Sequence, residues 1–397
     1  MGWPNGSAES DVIDPLDLVD IDSQLDDSER QWRDRTGAFV DTHVRTDVES
    51  WYAHEHFPAE IVRPLGELGV LGMHLQDYGC AGANAVSYGL ACMELEAGDS
   101  GLRSFVSVQG SLVMYGLWRF GSDEHKKDWL PRMATGDAVG CFGLTEPSAG
   151  SNPGQMRTVA RRDGSDWILN GHKRWSTNGI VADVAIVWAQ TDNGILGFVV
   201  PTATQGFRAT PITGKHSLRT SAASELHLED CRVPTAAVLP GVVGLSGPLA
   251  CLNEARFGVL WGTLGAARDC YAAAVEHAIT REQFGKPIGE FQLIQQKLVD
   301  MAIEINKGHL LALHLGRLKD AGALRHQQTS VGKLNNTREA ARVARIARSV
   351  LGGDGVTDRF SVMRHLANLE SVLTYEGTEE MHTLILGEAI TGLRAFT

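Results

Sequence analysis

The chain of 397 residues is 43% apolar and formally charged −12, long and apolar enough for two or three domains with cores of their own. The charge is local, since residues 1 to 29 hold nine of the 48 acids and none of the 36 bases, and no basic stripe with interleaved aromatics suggests a nucleic-acid partner. No stretch of about 18 uncharged apolar residues argues for a membrane span, and six cysteines without paired spacing argue against a disulfide frame or zinc, so a soluble cytoplasmic protein is expected.

In chain order, residues 1–27 read as an acidic arm, either flexible or draped on the surface. Residues 28–137 read as amphipathic helices, carried by FPAEIVRPLGELGVLG, AVSYGLACMELEAGD and SLVMYGLWRFGSDEHKKDWLPRMATG with Gly and Pro at the joins. Over 138–243 the character changes to short β-prone runs, VADVAIVWAQ, ILGFVVP and SELHLEDCRVP. Turn signals separate them at Asn170-Gly171, Asn178-Gly179 and Asn193-Gly194, which predicts a small antiparallel β domain. Residues 244–397 return to helix, with Ile294, Leu298, Met301 and Ile305 on one face of a bundle helix. The class is α+β, mostly α.

Neither a zinc-protease HExxH, a Walker loop, a GxSxG elbow nor a strand-linked GxGxxG is present. Three segments instead place polar groups in apolar surroundings. In CFGLTEPSAGSN, Ala149 and Gly150 would let backbone N–H groups approach a planar or phosphorylated ligand, although a plain turn reads equally well. In GHKRWSTNG, Trp175 and Thr177 would stack on and bond to a heteroaromatic ring, or form an ordinary half-buried strand. In LTYEGTEEMHTLILG, Glu376 stands among Leu373, Tyr375, Leu384 and Leu386, either as a functional carboxylate or as an acid favoured near a helix start.

Taken together, TEPSAGS, WSTNG, REQFGKPIGEFQLIQ, LGGDG and YEGTEEMH stand in the order and at the separations of the acyl-CoA dehydrogenase flavoproteins, which the chain resembles from about residue 30 onward. Within that family DSGLRSFVSVQGSLVM, CLNEARFGVLWG, RHLANLESVLTYEGT and LILGEAITG are most similar to the glutaryl-CoA dehydrogenase branch. The resemblance implies an N-terminal helical domain, a middle β-barrel and a C-terminal four-helix bundle. It makes Glu376 the base that removes the α-proton of an acyl thioester, with FAD as hydride acceptor. Phe142, Leu144, Thr145, Trp175, Ser176 and Thr177 would then surround the flavin, with Ser151 between cofactor phosphates and substrate.

Arg281, Phe284, Gln292, Gly352 and Gly353 would reach the FAD of a neighbouring subunit, implying a homo-oligomer, as in the family's tetramers. Thr378 and Phe396 complete the expected cofactor contacts, and Asn253, Arg256, Tyr375 and Gly377 the substrate contacts. Arg103, with Ser104 and Ser107, matches the group that receives a distal carboxylate, although an internal pair with Glu96 or Asp99 is the competing reading. Leu102 and Gly110 depart from that branch, which has a tyrosine and a serine there. Glutaryl-CoA, decarboxylated to crotonyl-CoA, is the expected substrate, with electron-transfer flavoprotein as acceptor. Dehydrogenation of another acyl-CoA or carrier-protein thioester, without decarboxylation, is the alternative.

Overall fold

The computed structural model describes residues 14–395. Helix α1 (Asp27–His43) starts at Asp26, whose carboxylate accepts from Glu29 N while the Glu29 carboxylate accepts from Asp26 N. Just upstream, Ile21 and Leu25 are 1% and 4% exposed within the helical core. The acidic arm expected over 1–27 is therefore docked from Ile21 onward, because apolar residues interrupt its acids; residues 1–13 lie outside the described residues.

Short helices α2 (Val48–Ala53) and α3 (Val62–Leu68) lead to α4 (Ala85–Gly98) and α5 (Ser100–Ser107). A π-helical stretch, Val108–Met114, runs on into α6 (Tyr115–Phe120), and α7 (Asp123–Ala134) follows. AVSYGLACMELEAGD was expected to have a solvent face, but every residue of α4 except Glu94 is buried. The reason is packing on two sides, with α1 on one and the long helix α8 (Ser246–Thr280) on the other.

Gly258, Gly262 and Gly265 let α8 approach closely. A Cβ on Gly265 would stand 1.8 Å from the Met93 carbonyl oxygen, and one on Gly262 would stand 2.1 Å from Glu96 Oε2. Gly265→Ala must part the helices, so a loss of about 1–3 kcal/mol is expected as a lower Tm. An unchanged Tm would contradict this close fit.

Seven strands form one curled sheet: β1 (Gly140–Gly143), β2 (Val159–Asp163), β3 (Asp166–Ser176), β4 (Val184–Thr191), β5 (Gly194–Pro201), β6 (Phe207–Pro211) and β7 (Ser224–Pro234). The expected all-antiparallel arrangement is corrected here, since β1 pairs with β4 in parallel, Gly140 opposite Val184, and β2 meets β4 in parallel at Val159 and Gln190. The β2–β3 hairpin lies between β1 and β4 in the chain, so β4 returns in the direction of β1. Asn170-Gly171 is no turn. It lies inside β3 at a bulge, where a Cβ on Gly171 would stand 2.3 Å from Thr158 Oγ1.

After α8, a two-stranded hairpin (β8, Glu282–Gln283; β9, Lys286–Pro287) leads to α9 (Gln292–Asp320), α10 (His326–Val350), α11 (Val362–Thr374) and α12 (Glu379–Thr391). Met301 and Ile305 of the expected stripe are 0% and 2% exposed in the core shared by α8, α9 and α10. All six cysteines are free thiols. No helix among the described residues is long and apolar enough to cross a membrane.

Candidate active site

The turn between α11 and α12 is left-handed twice, with φ of 55° at Glu376 and 93° at Gly377. Ten non-glycine residues among those described have positive φ, and Glu376, Trp175 and Phe284 are three of them. Such strain persists only where surrounding contacts hold it. Here the holders are cationic. Arg256 Nε donates to Glu376 O at 2.7 Å, and Lys333 Nζ donates to Tyr375 O at 2.6 Å and to Gly377 O at 2.5 Å.

Thr378 caps α12 by accepting from Met381 N at 3.3 Å. Glu376 Oε2 is shut away from solvent without a hydrogen-bond partner among the described residues. Burial pushes the Glu376 carboxyl above the ordinary carboxylate range, against the pull of Arg256, then Lys333, then Arg103. A carboxylate so placed is a stronger base than one in water.

Arg103 lies 1% exposed on α5, beside the buried Ser104 and Ser107. Its Nε donates to Glu96 Oε2 at 2.6 Å, and its Nη2 donates to the Tyr375 hydroxyl. The internal pair with Glu96 therefore exists. Glu96 takes Nε, while Nη2 turns to the residue next to Glu376. Asn253 sits one turn before Arg256 on α8, and its Oδ1 is buried without a partner among the described residues.

A second group gathers at the end of β3. Lys173, fully buried, donates to Leu144 O at 3.2 Å and to Glu146 Oε1 at 2.8 Å, while Arg174 N donates to Thr145 O at 2.8 Å. Burial pulls the Lys173 ammonium down to about 8, against the pull of Glu146. These bonds join β1 and the segment after it, with Phe142, Leu144 and Thr145, to Trp175, Ser176 and Thr177. Trp175 bares 55% of its surface, and the Ser176 hydroxyl beside it is buried and unpartnered. Ser151 is exposed on the same loop, and a Cβ on neighbouring Gly150 would meet nothing within 4 Å.

A third group is peripheral. Arg281 and Gln292 flank the β8–β9 hairpin, whose tip carries Phe284, 93% exposed. Gly352 and Gly353 follow α10 in open space. Among the described residues, no hydrogen bond or ion pair joins this group to Glu376 or Trp175 within one chain. Phe396 lies outside the described residues.

Sequence reading missed Lys333 and His382. Lys333 and His382 are 1% and 0% exposed, and His382 Nδ1 shares a 3.0 Å hydrogen bond with Ser330 Oγ. The available signal was the small and polar face Thr329, Ser330, Gly332, Lys333, Asn336 and Thr337 on α10, which is buried instead of solvated. His172, Glu225 and His227 on β3 and β7 have their ligand atoms within 4.8 Å of one another, close enough for a metal. Arg174 Nη1 already neutralises Glu225 Oε1 at 2.5 Å, so an ion-paired cluster accounts for them.

A strained turn with a buried, partnerless carboxylate oxygen, together with a separate loop-and-strand segment that bares Trp175, fits a flavin-dependent acyl-thioester dehydrogenase. The acyl-CoA dehydrogenase N-terminal domain matches residues 26–137, the middle domain 141–231 and the C-terminal domain 244–391, and the chain belongs to the acyl-CoA dehydrogenase family. It is 60% identical to glutaryl-CoA dehydrogenase from Mycobacterium smegmatis, with a TM-score of 0.95 over 96% of this chain and 99% of that one. A further structure of glutaryl-CoA dehydrogenase from that organism is in complex with FADH2.

Butyryl-CoA dehydrogenase from Megasphaera elsdenii is 31% identical, with a TM-score of 0.89 over 92% of this chain and 98% of that one. Human mitochondrial short-chain specific acyl-CoA dehydrogenase is 35% identical over 84% of this chain and 82% of its own length. Acyl-CoA dehydrogenases bind FAD, and this chain fits it: the exposed part of the Trp175 side chain, whose ring is also approached by the Arg174 guanidinium, and the Ser176 hydroxyl, buried without a partner among the described residues, offer apolar contact and a polar contact.

Proposed function

We propose that this enzyme oxidises glutaryl-CoA at Cα–Cβ, with Glu376 as the base, and releases crotonyl-CoA after loss of carbon dioxide. The observation that carries the chemistry is the buried, partnerless Oε2 of Glu376, raised in pKa and set in a strained turn. FAD, held by the segments around Thr145 and Trp175, supplies the acceptor for the β-hydride. Glu376 takes the α-proton, and Tyr375, Gly377, Asn253 and Arg256 line the thioester end. The far edge of Arg103, flanked by Ser104 and Ser107, takes the distal carboxylate as a forked pair.

Once the α,β double bond forms, loss of carbon dioxide leaves a dienolate conjugated with the thioester. The Glu376 carboxylic acid then returns its proton to that anion. Glutaryl-CoA is favoured over a monocarboxylic chain because an acyl tail without a carboxylate leaves that edge of Arg103 bonded only to Tyr375. Turnover with a dye acceptor, followed by chromatography of the thioesters, tests the reading. Crotonyl-CoA with an equivalent of carbon dioxide is expected; accumulation of glutaconyl-CoA would remove the decarboxylation step, and no product would remove the substrate.

The bare apolar residues Phe284, Leu293, Ile279 and Val299 fit a subunit interface, so a tetramer is proposed in which Arg281, Phe284, Gln292, Gly352 and Gly353 reach a neighbour's FAD. Arg281→Ala is expected to weaken flavin retention and loosen the oligomer together, measured by flavin absorbance and light scattering. A flavin-replete tetramer would contradict the assignment. Electron-transfer flavoprotein is proposed as the acceptor, and a cytoplasmic setting fits the six free thiols. Fast turnover with oxygen alone would point to an oxidase instead.

A further inference from the structure

We propose that Lys333 is a positioning residue whose charge, through the Tyr375 carbonyl, strengthens the backbone N–H donor of Glu376, an inference that rests on reading Glu376 as the base. Lys333 is 1% exposed on α10 and makes no salt bridge among the described residues. Its two hydrogen bonds go to the carbonyls on either side of Glu376, those of Tyr375 and Gly377, while Arg256 takes the carbonyl of Glu376 itself. Three successive carbonyls of one turn thus end on two buried cations. The N–H groups of Glu376 and Gly377 make no hydrogen bond within the chain among the described residues.

The connection runs through the peptide units. The carbonyl of Tyr375 and the N–H of Glu376 belong to one peptide group, as do the carbonyl of Glu376 and the N–H of Gly377. A cation on the oxygen draws electron density along the O–C–N system and makes the N–H at the other end a stronger donor. Two free N–H groups, each backed by a buried charge, therefore stand next to the carboxylate that takes the α-proton. They suit an oxygen that gains negative charge as the proton leaves, which is the thioester oxygen of the substrate.

A purely structural tie would not need the charge. A neutral amide could satisfy one carbonyl, whereas a buried ammonium without a carboxylate partner costs stability. Burial pulls the Lys333 ammonium down to about 7, with Glu376 acting the other way and Arg256 and Arg103 reinforcing the fall. Retaining a lysine there is understandable if its charge serves the transition state.

The test uses the flavin-loaded enzyme and two ligands that it does not turn over: acetoacetyl-CoA, whose enolate absorbs apart from its keto form, and crotonyl-CoA as a neutral thioester. The variants are Lys333→Gln, which keeps a donor without the charge, and Lys333→Met. Both are expected to lower enolate affinity and kcat by about 10- to 100-fold, below the loss seen when a direct oxyanion donor is removed. Crotonyl-CoA affinity and KM should change less than about 3-fold, the split expected when a contact matters mainly in the transition state.

Equal losses for both ligands would assign Lys333 to the scaffold and overturn the proposal, as would wild-type kcat and enolate affinity in Lys333→Gln. Loss of folding or flavin in both variants would count the same way. Because enolate binding needs no turnover, failure here is distinct from failure of Glu376 as base, which normal flavin bleaching by Glu376→Gln would reveal.

Discussion

Glu376→Gln is expected to keep its flavin and bind acyl-CoA while losing flavin bleaching by several orders of magnitude, at or beyond the upper end of the roughly 10²–10⁴-fold that a general base contributes. The amide matches the carboxylate in size and takes the same buried position, so folding should be little affected. What it lacks is a lone pair basic enough to take a proton from carbon. Burial, opposed by Arg256, Lys333 and Arg103, holds the carboxyl above its ordinary value, so the wild-type bleaching rate should rise as pH climbs through that raised pKa. The Gln variant should lose that limb of the profile. Near-normal bleaching by Glu376→Gln would remove the residue from its role.

Arg103→Ala is expected to reverse the substrate preference. A charge-assisted, buried pair with the distal carboxylate would be lost, for which about 2–5 kcal/mol is the usual scale. The corresponding fall in kcat/KM for glutaryl-CoA is about 30-fold to several thousand-fold. Butyryl-CoA has no distal carboxylate, so its kcat/KM should stay level or rise.

The 2.6 Å bond from Arg103 Nε to Glu96 complicates the single variant, since truncation leaves Glu96 buried and uncompensated. Arg103→Ala combined with Glu96→Gln removes that burden and should give the same ratio of changes with a higher Tm. Equal losses for the two substrates would leave the broader dehydrogenase reading intact and remove the glutaryl assignment.

Much of the fold was legible because its periodicities are local. Met301 and Ile305 lie at helical spacing and are buried as that spacing implies, and the β-prone runs between 138 and 243 became strands. What was not legible depends on distant partners. AVSYGLACMELEAGD has polar residues enough for a solvent face, yet Glu96 is covered by α8 and neutralised by Arg103, seven residues along the chain. The parallel pairing of β1 with β4 follows from the path of the intervening hairpin, which no residue pattern encodes. Asn170-Gly171 carries a turn signature, but the glycine is there to clear the Thr158 side chain.

The candidate site divides in the same way. Glu376 and Trp175 stood out within their own segments and Phe284 through the family resemblance, and all three adopt positive φ. Lys333 did not stand out, because a lysine on a polar helical face reads as solvated. Only the return of the chain at Tyr375–Gly377 covers that face and gives Lys333 its two carbonyl partners. Arg103 was readable as a site residue and as half of an internal pair; the pair with Glu96 uses Nε, and Nη2 reaches the Tyr375 hydroxyl.

The most direct measurement is an anaerobic titration of the purified, flavin-loaded protein with glutaryl-CoA and, separately, butyryl-CoA, following the flavin absorbance. Complete bleaching by glutaryl-CoA at near-stoichiometric concentration, with butyryl-CoA far less effective and Glu376→Gln inert to both, is the expected result. An oxidised spectrum that neither thioester changes, or bleaching that persists in Glu376→Gln, would contradict a buried carboxylate at the α11–α12 turn as the base of this enzyme.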